Sequence, residues 1–186
     1  MARSISECTA KINFNIKLRN TLTDLTVASI AGGGGLLNAT LTDGNGENMV
    51  NRMWQRIGVE ILTGATADID LYDFAGIDIG GGAGKDGLGQ AMDLEEIVFL
   101  CLIKTAGAGS LEVMPANPSN YWTCMPQHTV ARGNALKTNG LILLYQPNHQ
   151  AFDVFDASSH VIRLGANGGA VTYSLYIWGR SADSYT

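Results

Sequence analysis

A glycine-rich stretch, residues 82–87, has the spacing of a nucleotide-binding loop. Its sequence, Gly-Ala-Gly-Lys-Asp-Gly, fits the G-x-G-x-x-G pattern in which glycines let the backbone approach a pyrophosphate. That role also requires a buried parallel strand before the loop and a helix after it. No helix of useful length fits in residues 88–96, and Asp86 stands where a P-loop has the Ser or Thr that binds magnesium. We therefore expect a long flexible loop over residues 76–89, with no nucleotide or other cofactor.

Three aspartates, Asp68, Asp70 and Asp73, could hold a cation through their carboxylates. A calcium loop of the EF-hand type needs regularly spaced oxygen ligands and a glycine, and this stretch lacks both. Asp68 and Asp70 alternate with Ile69 and Leu71, as residues on the wet face of a strand do. We expect the aspartates to be structural and predict no metal site.

A cysteine and a histidine form the next candidate group, because Cys124 lies four residues before His128. A nucleophilic cysteine needs its base within hydrogen-bond reach, which a sequence does not reveal. His149 and His160 stand in similar polar, turn-like surroundings, and there is no Gly-x-Ser-x-Gly elbow to indicate an esterase. The favoured interpretation is that the chain is not an enzyme. The alternative is a small hydrolase that uses Cys124 or a serine.

Aromatic residues offer a binding surface rather than a catalytic one. In the run from Val171 to Gly179, Tyr176 and Trp178 fall on the otherwise polar side of a strand. Large aromatics with a polar tip are enriched in protein interfaces. We predict a protein interface that includes Tyr176, Trp178 and Trp122. The competing interpretation is that a loop or a second sheet covers Tyr176 and Trp178.

The strand that carries these aromatics has an apolar side whose residues we expect in the core: Val171, Tyr173, Leu175 and Ile177. Before it, residues 165–169 are glycine- and asparagine-rich, and a short apolar run consists of Val161, Ile162 and Leu164. This order predicts a hairpin that closes the chain.

Other segments repeat the extended pattern. Residues 11–19 alternate strictly between apolar and polar, which predicts a strand. Two runs, Ile97–Ile103 and Leu141–Tyr145, are apolar on both sides, so we expect both at the centre of the core. A further strand is predicted to direct these residues inward: Met53, Ile57, Val59 and Ile61. About ten short runs separated by turns are typical of a β-sandwich.

Composition excludes several classes of protein. The chain has 186 residues, of which 46% are hydrophobic, and no run approaches the length of a membrane span. A net charge of −5 with scattered Lys and Arg gives no basic footprint for nucleic acid. Three cysteines, Cys8, Cys101 and Cys124, match neither a disulfide framework nor a zinc motif. We expect no nucleic-acid, membrane or metal partner.

Most of the chain resembles a group of tailed-bacteriophage virion proteins. The resemblance lies in strand order and turn placement, from Ala-Asp-Ile-Asp-Leu at 67–71 and the apolar strand at 97–104 to the Ala-Val-Thr-Tyr strand that starts at Ala170. It covers roughly residues 48–180, and it carries over no functional residue. The long N-terminal part and the loop at 76–89 depart from the pattern. The resemblance implies a single jelly roll used as head decoration, cement or another virion component.

Together these features predict an all-β antiparallel β-sandwich, of single jelly-roll type. Residues 1–20 would form an N-terminal arm and first strand, residues 21–180 the sandwich, and residues 181–186 a flexible tail. We expect a non-enzymatic structural protein of a phage head, assembled in the host cytoplasm. It would be a decoration or cement protein that contacts the major capsid protein and forms a symmetric homo-oligomer, with a trimer preferred. The alternatives are a tail or vertex receptor-binding or carbohydrate-binding module and a capsid shell subunit.

Overall fold

A computed structural model describes residues 8–11, 38–43, 45–74, 83–85, 91–114, 121–125, 135–148, 151–154 and 160–181. Within these ranges the secondary structure is all strand, as predicted, and no helix occurs that is long and apolar enough to cross a membrane. The strands in chain order are β1 (Cys8–Lys11), β2 (Asn38–Asp43), β3 (Met49–Val50), β4 (Arg52–Ile61), β5 (Thr66–Asp70), β6 (Glu96–Ala106), β7 (Ser110–Met114), β8 (Ala135–Leu136), β9 (Leu141–Tyr145), β10 (Phe152–Asp153), β11 (Val161–Asn167) and β12 (Val171–Arg180).

The first three strands form a small sheet of their own. β1 pairs antiparallel with β2, and β2 pairs parallel with β3. Of the strand predicted at residues 11–19, only Lys11 lies within the described residues. This small sheet precedes the two larger sheets in the chain, which begin at Arg52.

Two antiparallel sheets follow. The five-stranded sheet has the order β10-β6-β12-β4, and β9 pairs with β6 on the same edge as β10. The four-stranded sheet has the order β5-β11-β7-β8. Both sheets contribute to one hydrophobic core, in which Leu100, Ile69 and Leu164 represent β6, β5 and β11. The apolar sides of the two sheets are therefore buried against each other.

The inner face of β12 was predicted correctly. Its four apolar residues are fully buried: Val171, Tyr173, Leu175 and Ile177. β6 is also buried on both faces from Glu96 to Leu102, as expected of a central strand. The same expectation is wrong for β9, in which Leu141 is 39% exposed and the other residues are half-buried. β9 is apolar throughout, yet it pairs only with β6 among the described strands.

The predicted closing hairpin is wrong. β11 pairs with β5 and β7, whereas β12 pairs with β4 and β6, so these consecutive strands belong to different sheets. The turn between them packs on the β6–β7 turn so closely that a Cβ at Gly109 would lie 2.0 Å from the carbonyl oxygen of Gly169. Gly-rich turns report that the chain reverses, but distant pairing partners decide which sheet receives the next strand.

The inward residues of β4 also differ from the prediction. Opposite Ser174 of β12, β4 carries two residues, Ile57 and Gly58, which form a β-bulge with Gly58 at φ +67°. The extra residue reverses the alternation, so Trp54 is buried in the core, Ile57 is 62% exposed and Met53 packs outside the main core. Val59 and Ile61, which follow the bulge, do face the core as predicted.

Candidate interaction surface

The side of the five-stranded sheet that faces away from the main core is here called its outer face. The register of β9, β6, β12 and β4 sets side chains across it in rows. One row consists of Tyr145, Phe99, Trp178 and Met53. The Trp178 and Phe99 rings are stacked, with centroids 4.6 Å apart and planes at 27°. This row is apolar from one edge of the sheet to the other.

The small N-terminal sheet contributes to this face. Leu41 of β2 and Val50 of β3 are fully buried and cluster with Val98 and Ala151. Met53, Tyr145 and Trp178 pack against that cluster. Trp178 is therefore partly covered by the chain itself, as the competing interpretation expected. Contact between Trp178 and another protein stays a prediction.

Tyr176 lies in the next row, between Cys101 of β6 and Gln55 of β4, and it is half-buried. Leu143 occupies the β9 position of this row. The row after it contains Leu141 and Ile103, so the apolar surface continues past Tyr176 toward the far end of the sheet. Tyr176 is the predicted interface residue that lies nearest the middle of this surface.

The third predicted interface residue, Trp122, does not belong to this surface. It is 1% exposed, its ring packs edge-on against Phe152 at 6.2 Å, and its Nε1 donates a hydrogen bond to the carbonyl oxygen of Asp153 at 2.7 Å. Trp122 therefore presents no exposed ring to the predicted protein interface. A large ring that can satisfy its single donor is well suited to a core.

A buried ion pair fixes one end of the outer face. Arg180, the last residue of β12, and Glu96, the first residue of β6, face each other across the strands. Arg180 Nη1 donates to Glu96 Oε2 at 2.7 Å, and the two side chains are 0% and 1% exposed. Such a pair is stable in a dry site only when its remaining hydrogen-bonding groups also find partners.

Backbone carbonyls supply those partners. Arg180 Nη2 donates to the carbonyl oxygen of Pro147 at 2.8 Å, Nη1 to that of Asn148 at 3.1 Å and Nε to that of Met49 at 3.1 Å. Arg180 therefore ties the end of β12 to β3 and to the segment that follows β9. Glu96 and Arg180 are 84 residues apart, and sequence reasoning gave them no role. The sequence signal for this ion pair is a charged residue at one end of each of two apolar strands.

The chain continues to make contacts just past β12. The backbone N–H of Ser181 donates to Asn51 Oδ1 at 2.9 Å, and Asn51 Nδ2 donates to Ser181 Oγ at 2.9 Å. The rest of the predicted tail, residues 182–186, lies outside the described residues.

The corresponding outer face of the four-stranded sheet is polar. Arg163 of β11 and Asp68 of β5 face each other and form a two-pronged pair, Nε–Oδ1 at 2.6 Å and Nη2–Oδ2 at 2.7 Å. The Arg163 hydrogen bonds hold the pKa of Asp68 below its ordinary value, although burial acts in the opposite direction. Nearby, Asn167 Nδ2 donates to Glu112 Oε1 at 2.8 Å.

The aspartates of the metal candidate have structural contacts. Asp68 is engaged by Arg163, and Asp70 Oδ1 accepts the backbone N–H of Tyr72 at 2.9 Å in the turn after β5. The other Asp70 oxygen lies 3.6 Å from His160 Nε2. Across the described ranges, no three such side chains converge in a way that could hold a metal ion.

Of the nucleophile and nucleotide candidates, only parts are described. Burial raises the pKa of the Cys124 thiol, Thr123 lowers it and Asp153 raises it, so the thiolate needed for attack is disfavoured. The proposed base, His128, and His149 lie outside the described residues. In the glycine-rich stretch, Gly84 has φ +68° and its carbonyl accepts the N–H of Met92 at 2.9 Å. Gly82, Asp86 and Gly87 lie outside the described residues.

The outer face of the five-stranded sheet is the surface with the strongest features for contact: it is apolar, half-buried and held at one end by Arg180. No family model, curated protein or solved structure matches this chain.

Proposed function

We propose that the chain is a non-enzymatic structural protein of a bacteriophage virion, built as a single jelly roll and acting as a head decoration or cement protein. The observation that carries the proposal is the strand order of the two sheets. β10 extends β9 along the same edge of β6, so the two count as one interrupted strand. The sheets then hold eight strands in the orders β4-β12-β6-β9 and β5-β11-β7-β8.

This strand order supports the proposed jelly roll. The chain crosses from one sheet to the other between several pairs of consecutive strands, including β4 to β5, β6 to β7, β8 to β9 and β11 to β12. The first strand, β4, lies beside the last, β12, and β5 lies beside β11. Two such interlocked Greek keys make the jelly roll found in viral capsid proteins and in lectins and cupins. The fold therefore supports the resemblance to phage virion proteins, while the site must distinguish the uses of the fold.

The surfaces favour a packing role over glycan binding. A carbohydrate module presents aromatic rings to solvent, but Trp122 is in the core and Trp178 is stacked on Phe99. Instead the chain presents a half-buried apolar outer face continuous with its N-terminal strands. In the proposed role this face and the N-terminal arm contact neighbouring subunits, the major capsid protein among them.

The test is quantitative mass spectrometry of virus particles purified from the source of this chain, with its copies counted per particle. A decoration or cement protein should be present in hundreds of copies, because it repeats with the shell lattice. A number near three to twelve would overturn the head assignment and support a vertex, neck or tail component. Absence from the particle would overturn the virion proposal altogether. A glycan array with the purified chain is the matched assay for the carbohydrate-binding alternative, in which replacing Trp178 with alanine should abolish any specific signal.

A further inference from the structure

Strand β9 divides its residues into two sets. Lys104 N–H donates to the Gly140 carbonyl at 3.0 Å and Gln146 N–H donates to the Val98 carbonyl at 2.9 Å, which fixes the hydrogen-bond phase of the β9–β6 pair. Antiparallel strands direct the backbone groups of alternate residues to opposite edges. Ile142 and Leu144 therefore bond to β6, and their side chains pack against the main core.

The other three residues of β9 direct their backbone groups away from β6 and their side chains away from the main core. The backbone N–H and C=O groups of Leu141, Leu143 and Tyr145 point to the edge away from β6, where no strand of the described residues pairs. Their side chains lie on the outer face, where Leu141 is 39% exposed and the other two are half-buried. An edge of this kind is a ready template for another strand.

The sequence of this edge lacks the usual protection. Natural edge strands carry charges or proline within them to prevent pairing. From Thr138 to Gln146 the chain has neither a charged residue nor a proline. Pro147 comes immediately afterwards and limits the paired length to β9. Among the described residues the strand is thus open to pairing over a short and defined length.

We propose that β9 pairs antiparallel with β9 of a second copy of this chain, around a two-fold axis at Leu143. The outward-pointing backbone groups are spaced symmetrically about Leu143, so Leu141 of one copy faces Tyr145 of the other and Leu143 faces itself. Each facing pair exchanges two backbone hydrogen bonds, which satisfies all three residues on both strands. The same surface meets itself, as an isologous contact requires.

Side chains and charge favour this partner. The pairing joins the outer faces of two five-stranded sheets and brings Leu141, Leu143 and Tyr145 against their counterparts. Because β9 is uncharged, no like charges meet across the axis. The contact adds a subunit partner to the proposed function, and its biological role rests on that function. A two-fold contact can join two trimers as well as make a dimer, so the preferred trimer would use a different surface.

The decisive experiment is cysteine cross-linking at the axis. In the full-length chain carrying Leu143→Cys together with Cys101→Ala, which removes the thiol that faces position 143 across the β9–β6 pair, the two Cα atoms of residue 143 should lie about 5.5 Å apart, a separation that suits a disulfide. Mild oxidation should give a covalent dimer on a non-reducing gel. The Cys101→Ala parent reports any background from Cys8 and Cys124, and Leu62→Cys in the same parent, at a residue that is 64% exposed on the β4–β5 turn, is the matched control. Cross-linking of Leu143→Cys no greater than that of Leu62→Cys overturns the proposal.

Light scattering provides the second measurement. Leu143→Lys should weaken self-association about tenfold or more, since two ammonium groups would meet at the axis, while Leu62→Lys should not. Circular dichroism confirms that both variants are folded, and if Leu143→Lys does not fold, the cross-link decides. If the wild-type chain is monomeric by itself, the proposal is overturned. This holds even if β9 then pairs with a strand of a different protein. A cross-linked dimer of a chain absent from virus particles would sink the virion function and leave this contact standing.

Discussion

The two outer faces of the molecule use the same kinds of residue in opposite ways. Each carries an arginine–carboxylate pair across neighbouring strands: Arg180 with Glu96 on the five-stranded sheet, and Arg163 with Asp68 on the four-stranded sheet. The first pair is fully buried beneath β3 and the segment after β9, whereas the Asp68 side chain is 47% exposed. Apolar rows surround the first pair, and polar residues such as Glu112 and Asn167 accompany the second.

The difference shows that geometry alone does not set the value of an ion pair. Both pairs have hydrogen bonds of 2.6–2.7 Å, and the exposed one has the better two-pronged geometry. Yet breaking a buried pair leaves an uncompensated charge in a dry site, whereas water replaces the partner of an exposed one. We therefore expect substitutions on the outer face of the five-stranded sheet to lower the free energy of unfolding more than substitutions on the outer face of the four-stranded sheet.

The largest effect should come from the core that both faces share. Leu175→Asp places a charge among fully buried residues of β12 and should abolish soluble folded protein. Tyr176→Asp, one residue on and half-buried on the outer face, should still give a cooperative transition. Thermal unfolding followed by circular dichroism compares them. If Leu175→Asp retains the wild-type melting transition, the assignment of the inner face of β12 is wrong.

The second-largest effect is expected from the contrast in stability between the two ion pairs. Arg180→Met leaves Glu96 buried without its partner, so the free energy of unfolding should fall by about 3–5 kcal/mol. Arg163→Met, the matched change on the other face, should cost about 1 kcal/mol or less. Urea unfolding monitored by tryptophan fluorescence measures both.

The double variant Glu96→Gln/Arg180→Met separates the lost charge pair from lost packing. It should recover part of the loss, because no uncompensated charge remains. Equal destabilisation by Arg180→Met and Arg163→Met would remove the contrast between the faces.

A smaller difference is expected from apolar residues. Trp178→Ala removes the ring stacked on Phe99 and exposes the cluster around Val50, and should cost about 2 kcal/mol because the ring is only half-buried. Met114→Ala changes a half-buried apolar residue on the outer face of the four-stranded sheet and should cost below about 1 kcal/mol. Urea midpoints with unchanged slopes provide the comparison. A larger loss at Met114 would mean that the four-stranded sheet has the covered face.

Local patterns in the sequence predicted the strand content and much of the core. The strict alternation of apolar and polar residues correctly predicts that Leu175 and Ile177 are buried, because alternate side chains of a strand lie on the same face. The pattern misassigned Met53 and Ile57, since one extra residue at the bulge reverses every side chain beyond it. It also predicts a central strand at β9, which pairs with only one strand among those described, because apolar composition does not show how many neighbours a strand has.

The interaction surface was only partly predictable. Tyr176 and Trp178 were assigned to the outer side of β12, which is where they lie. The covering of Trp178 by β2 and β3 depends on a return of the chain from a distant segment, which no local pattern indicates. The same holds for Arg180 and Glu96, which meet only because β12 pairs with β6. Long-range register therefore determines the features that sequence reasoning missed.

The smallest effect, and the one that sharpens the contrast most, is the pH dependence of the exposed pair. The pKa of Asp68 lies below its ordinary value of 3.8 because Arg163 donates to its carboxylate, so the pair stabilises the fold above that value and the gain is lost as pH falls through the lowered pKa. Asp68→Asn should thus cost up to about 1 kcal/mol near neutral pH and almost nothing at the acid end, as measured by urea unfolding across the pH range. In an Arg163→Met background the loss near neutral pH should disappear, because the carboxylate then has no cation to stabilise its charged form and burial alone raises its pKa. A loss that persists under acid conditions, or that survives in that background, would mean that Asp68 acts through packing and that the outer face of the four-stranded sheet is less tolerant than its exposure indicates.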